Sequence, residues 1–98
     1  MIVFDTEALD DLDRIFEFLA EHDPDAAVDH IDRLRSAIMV LDMHPRIGRP
    51  VDSSSTLREL VISQGRSGYI ALYEYSEAEQ MIRVVAVRHQ REVGYRGM

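Results

Sequence analysis

Residues 57–87 read LRELVISQGRSGYIALYEYSEAEQMIRVVAV, a stretch in which the apolar period is close to two. The runs 57–64, 69–75 and 81–87 are rich in the β-branched and aromatic residues that fit a pleated, half-buried surface, so each is expected to be a strand. Residues 65–68 and 76–80 are turn-like and short enough to close hairpins, which makes an antiparallel meander of three strands the economical arrangement. In the middle strand Ile70 and Leu72 share one face while Tyr69, Ala71, Tyr73 and Tyr75 share the other. The expected inward set is Ile70, Leu72, Val84 and Ala86, which leaves Tyr69, Tyr73, Arg83, Val85 and Val87 on the opposite face. A β-bulge would exchange these assignments.

On the N-terminal side the period changes. Ala8, Leu12, Ile15 and Leu19 recur at spacings of four, three and four, with Leu9 and Phe16 beside them, the apolar stripe of an amphipathic helix. Asp5 or Thr6 is expected to cap it, with Glu7 and Asp10 in the first turn at the end of the helix dipole that favours acids. Asp23-Pro24 starts a second helix, since a proline at the first helical position lacks only an N–H that would be unbonded there. Ala27, Ile31, Leu34, Ile38 and Leu41 carry that helix to His44-Pro45. The stretch PRIGRPVDSSST, residues 45–56, reads as an irregular surface connection, and Ile2, Val3 and Phe4 as a short opening strand. Burial then dictates the assembly, because the apolar stripes of a helical hairpin need a partner and one sheet face needs a cover. The expected fold is α+β, in the order β-α-α-β-β-β, with an antiparallel sheet packed against the helical hairpin. At 98 residues and 46% hydrophobic content, residues 1–98 are expected to form one domain that buries ~60 to 70% of its unfolded surface.

Composition narrows the chemistry. There is no cysteine, so thiolate nucleophiles, disulfides and Cys-ligated zinc are excluded. The four histidines lack the i, i+4 spacing of a helical metal pair, so His22, His30 and His44 read as surface residues and no metal or other cofactor is expected. Net charge is -7, which disfavours indiscriminate nucleic-acid binding, but its distribution is uneven. Residues 1–45 carry 12 acids and 3 bases, whereas residues 46–98 carry 6 acids and 8 bases. Every base is arginine, so any anion contact would use a planar guanidinium fork. The N-terminus MIVFDTEALDD lacks a basic segment followed by an apolar one, and no apolar run approaches the ~20 residues that span a bilayer. A soluble, cytoplasmic chain without membrane contact is the expectation.

The order of elements, together with ALDDLDRIFEFLAEHDPDAA (8–27), HPRIGRP (44–50), LREL (57–60), GRSGYIALYEY (65–75) and VRHQREVGY (87–95), resembles the RelE/ParE superfamily of toxins, also called plasmid-stabilisation proteins. The resemblance spans nearly the whole chain. It implies a growth-inhibiting toxin of a bacterial type II toxin–antitoxin system, neutralised by a cognate antitoxin whose flexible segment wraps its helices and sheet. A homo-oligomer, or a hetero-oligomer with the antitoxin, is compatible with it. One branch of the superfamily cuts mRNA on the ribosome; the other is similar to ParE, which poisons DNA gyrase without being a nuclease.

Cleaving RNA at the 2′-hydroxyl needs a proton acceptor, cations for the phosphorane and an acid for the leaving oxygen. Arg58, Arg66, Arg88, His89, Arg91 and Tyr95 are the candidates, and Arg88, His89, Arg91 and Tyr95 would be the catalytic set of a ribonuclease. His89 is the one whose ordinary pKa of ~6.5 suits acid and base work. The resemblance also implies, for the nuclease branch, lysines on the strand before the Gly-Tyr pair and an arginine straight after it. Those places hold Val61, Ser63 and Ile70. A ParE-like protein acting on gyrase is therefore the expectation. A RelE-like ribosome-dependent mRNA endonuclease and a degenerate, non-toxic antitoxin-binding module are the alternatives. For a binding protein the candidate target- or antitoxin-contacting residues are Arg58, Arg66, Tyr69, Tyr73 and Arg83. The structural alternative is that Arg88 and Arg91 pair with acidic helices, for example through Glu17 or Asp29, and that Tyr69 and Tyr73 pack in a half-buried sheet face.

Overall fold

The computed structural model describes residues 1–64, 67–92 and 94. Strand β1 (Ile2–Phe4) leads into helices α1 (Thr6–Ala20) and α2 (Pro24–Met39), and a 3-10 turn at Val40–Asp42 extends α2. Strands β2 (Arg49–Pro50), β3 (Leu57–Gln64), β4 (Ser67–Ser76) and β5 (Met81–His89) follow. The α2 start is built as expected: Asp23 caps it by accepting the Ala26 N–H at 3.1 Å, and Pro24 occupies the first turn. Asp5 occupies the cap position of α1 and its carbonyl accepts the Leu9 N–H at 3.0 Å, but its side chain makes no cap bond to the helix. Its carboxylate is instead ion-paired with Arg83.

The strands form one sheet in the order β1-β5-β4-β3-β2. The antiparallel meander β3–β4–β5 is its centre. Two elements widen it: β1 runs parallel beside β5, and the two-residue β2, inside the stretch expected to be irregular, pairs with β3 through Arg49↔Glu59 and Pro50↔Arg58. β1 pairs only with Ile82, Arg83 and Val84, after which the Asp5 N–H bonds the Val84 carbonyl at 2.9 Å and the chain turns away into α1.

The apolar stripes of α1 and α2 supply Ala8, Leu12, Ile15, Leu34 and Ile38 to the core, with Leu41 following. From the sheet the same cluster takes Ile62, Tyr69, Ala71, Tyr73, Ile82, Val84 and Val87. This corrects the expected facing of β4: the tyrosine face, not the Ile70 and Leu72 face, lies under the helices. On β5 the expectation held for Val84 and failed for Ala86 and Val87. The cause is a bulge, since Leu72 pairs with Ala86 but Tyr73 pairs with Val84, leaving Val85 as the extra residue. Directly paired residues share a face, so Val84 joins the tyrosines and Ala86 joins Leu72. Burying two phenols requires polar partners. Both have them: the Tyr73 hydroxyl meets Pro45 and Gly48, and the Tyr69 hydroxyl lies 2.9 Å from His30 Nε2. Ile70, Leu72 and Ala86 are buried as well, so β4 is covered on both faces. Among the described residues no helix is long and apolar enough to cross a membrane.

Candidate functional site

The candidate residues fall into three places. Arg88, His89 and Arg91 lie together where β5 ends, and Tyr69 joins them from β4, its ring edge-on to His89 at 5.3 Å. Arg58 and Tyr73 meet at the exit from the helical hairpin. Arg83 stands on the sheet face away from the helices, between Asp5 and Glu74 (3.4 Å). Arg66 and Tyr95 lie outside the described residues.

The end of β5 is shaped by its bulge. β1 has already left, and the N–H of Val87 is taken by Asp11 Oδ2 at 2.9 Å. Asp11 is a buried carboxylate on α1, 4% exposed. Burial raises its pKa, while the Val87 N–H and the Arg14 guanidinium pull it back. Arg14 touches Asp11 at 3.5 Å and grips Glu92 with both terminal nitrogens, at 2.6 and 3.3 Å. α1 therefore continues the role of β1 along the rest of β5, by side chains instead of a ladder.

The turn beyond β5 is held from within. Arg88 Nη1 donates to the carbonyls of His89 (3.3 Å), Gln90 (3.5 Å) and Glu92 (2.8 Å). The Arg91 N–H donates to His89 Nδ1 at 3.1 Å, and the Gln90 N–H to the Gly68 carbonyl at 2.8 Å. Arg91 is exposed. The link between this end and α1 runs through Arg14 and Glu92, a pair the sequence reading did not name; there Arg88 and Arg91 were set against Glu17 or Asp29.

His30 corrects another expectation. It is not a free surface histidine: its ring lies edge-on to Tyr69 at 5.4 Å and bonds the phenol. Burial lowers its pKa, and the neighbouring Arg33 and His89 lower it further. Both missed groups carried a signal. Asp11 falls between Ala8 and Leu12, and His30 between Ala27 and Leu34, so each is a polar residue inside an apolar stripe.

At the other end, Tyr73 is fully buried and Tyr69 is 3% exposed. Neither offers a ring to a target in this conformation. Tyr73 donates to the Pro45 carbonyl (2.8 Å) and accepts the Gly48 N–H (2.9 Å), while Arg58 Nη1 donates to the carbonyls of Gly48 (2.7 Å) and Arg46 (3.2 Å). These two side chains build the bend of HPRIGRP. Beside it, Arg46 lies over the Tyr75 ring at 5.1 Å, pairs with Glu77 at 2.9 Å, and borders an open polar cleft of ≈ 390 Å³. Among the described residues no three His, Cys, Asp or Glu side chains are grouped so as to hold a metal ion.

The register also places the positions where nuclease cations were sought. Val61 pairs with Ile70 and Ile70 with Arg88, one row across the face away from the helices. Two of its three members are aliphatic. The third is a guanidinium engaged by main-chain carbonyls.

The family model of the ParE toxin of type II toxin–antitoxin system, parDE, matches residues 2–94. A Sinorhizobium fredii protein named "Putative toxin Y4kP" is 35% identical over 83 residues, covering 85% of this chain and 83% of that protein. Two solved structures share the fold. The intact RelBE toxin–antitoxin complex of E. coli contains a chain with TM-score 0.65 at 16% identity, covering 94% of this chain and 98% of that one. The chromosomal ParDE system of P. aeruginosa contains one with TM-score 0.68 at 14% identity, covering 90% and 92%.

Proposed function

Because the chain belongs to the ParE toxin family of type II toxin–antitoxin systems, we propose that it inhibits growth by binding DNA gyrase instead of cutting RNA. A cognate antitoxin is the partner that neutralises it, in line with the toxin–antitoxin complexes that share its fold. Such an activity belongs in the cytoplasm.

The observation that carries the choice of target is the Val61–Ile70–Arg88 row. Stabilising a phosphorane needs cations aimed at where charge develops. Here the row holds exposed Val61 and buried Ile70, and the Arg88 guanidinium donates to the carbonyls of residues 89, 90 and 92. Among the described residues this end presents Arg91 outward, on a turn fixed by Arg88 and His89, which suits docking on a protein surface. Arg83, partly exposed on the face away from the helices, is a second candidate contact, and Arg58 contributes by shaping the helix exit.

The ribosome-dependent endonuclease remains the competing reading, because His89 is a titratable ring next to Arg91. One culture tests both. After induction without the antitoxin, gyrase trapped on cleaved DNA with unchanged transcript ends supports the proposal. Codon-phased mRNA cleavage with intact chromosomes refutes it, and harmless overexpression indicates a chain that only binds its antitoxin.

A further inference from the structure

We infer that Arg14 is a positioning residue: from the acidic α1 it fixes the turn that presents Arg91, and the toxin's grip on its target depends on it although Arg14 touches no target itself. The inference rests on reading the end of β5 as target-binding.

Arg14 is the one base in α1, among five acids. Asp10 at i−4 and Glu17 at i+3 are the neighbours a helical arginine ordinarily pairs with. The guanidinium passes over these two and, besides Asp11 at i−3, reaches Glu92, 78 residues away, in a two-pronged contact with side chains 28% and 23% exposed. A fork of this kind fixes direction as well as distance, because both N–H···O vectors must be met together. The Arg14 Nη2 in this fork also lies 3.5 Å from Asp11, whose other carboxylate oxygen holds the Val87 N–H. One turn of α1 thus holds β5 just before the turn, through Asp11, and at the turn's far side, through Arg14.

The bonds inside residues 88–92 give the turn its shape, since Glu92 N–H reaches the His89 carbonyl at 3.0 Å and Arg91 N–H reaches His89 Nδ1. Because Arg88 and His89 are themselves paired with Ile70 and Tyr69, these bonds also root the turn in the sheet. The sheet side is reinforced by Gln90 N–H on the Gly68 carbonyl, and among the described residues the contact from the helix side is Arg14 on Glu92. Freed from Arg14, the far side of the turn keeps its sheet anchors but loses its tie to the helix, and Arg91, next to Glu92, gains freedom with it.

The test compares wild type with Arg14→Gln and Arg14→Lys, the latter keeping the charge but not the fork. Amide exchange at Arg91 and Glu92 is followed in the free chain, and growth arrest and gyrase inhibition are titrated in parallel. Arg14→Gln is expected to speed exchange at both amides about tenfold while the core strands stay protected, and to lower toxic potency by a similar factor. Arg14→Lys is expected to recover part of each. Unchanged exchange in Arg14→Gln overturns the inference whatever the toxicity, and faster exchange with undiminished potency overturns it as well. A wild type that arrests growth without inhibiting gyrase sinks the target assignment alone, since exchange and growth arrest still report on Arg14.

Discussion

The Tyr73 hydroxyl accepts the Gly48 N–H at 2.9 Å and returns its own proton to the Pro45 carbonyl at 2.8 Å, so one buried phenol ties the middle of the sheet to the exit of the helical hairpin. Removing its hydroxyl takes the acceptor from the buried Gly48 N–H. Tyr73→Phe is expected to cost about 1–3 kcal/mol, read as a lowered urea midpoint at unchanged m-value. A side chain at residue 48 meets the same oxygen: a Cβ there would lie 2.6 Å from the Tyr73 hydroxyl and 2.8 Å from the Glu59 carbonyl. Gly48→Ala should therefore destabilise, and by less when combined with Tyr73→Phe than the two single costs added together.

Asp11 gives a test of how β5 is held where β1 stops. Asp11→Ala leaves the buried Val87 N–H without its acceptor and should cost about 1–3 kcal/mol. Asp11→Asn keeps an oxygen there and should lose less. The pH dependence has a definite sign. Folding raises the pKa of Asp11, so the folded state holds its proton more tightly, and stability falls as pH rises from the ordinary carboxylate value through the raised one. Denaturation midpoints across this window should show that decline in wild type and its absence in Asp11→Asn.

His30 acts in the opposite sense. Its pKa is lowered on folding, first by burial and then by Arg33 and His89. The stability it contributes is complete above the ordinary histidine value of ~6.5 and is lost as pH falls through the lower, folded value. His30→Gln should flatten the thermal midpoint against pH on the acid side of neutrality. An unaltered slope would mean that another group carries the acid sensitivity.

His89 separates the two modes of toxicity. If the ring serves as general acid or base, His89→Gln should cut mRNA cleavage by ~100-fold or more. If its part is to accept the Arg91 N–H, glutamine supplies a substitute acceptor, and growth arrest should persist within a few-fold. The measurement is the inducer dose that halves growth, with transcript ends mapped in the same cells.

The helices were legible because their buried residues repeat at helical spacing; Ala8, Leu12 and Ile15, and Ala27, Leu34 and Ile38, are what the structure buries. The three central strands were legible from their period of two. The facing of β4 was not, because Ile70 and Leu72 are better hydrophobes than Tyr69 and Tyr73, and local preference says nothing of the long-range partners His30, Pro45 and Gly48 that make phenols tolerable inside. β2 escaped notice because two residues have no period. At the end of β5 the residue types were legible but their engagement was not, since Arg14 and Glu92 are brought together by a turn of chain no window spans.

The bulge at Val85 also bears on how relatives should be read. Val84 and Val87 both face the helices with two residues between them, so a strand lacking Val85 would present the same inward side chains in simple alternation. A relative one residue shorter here keeps its core; what it loses is the bend that aims the arginines beyond it. Aligning such a relative without a gap would turn His89 outward on paper while leaving the molecule unchanged.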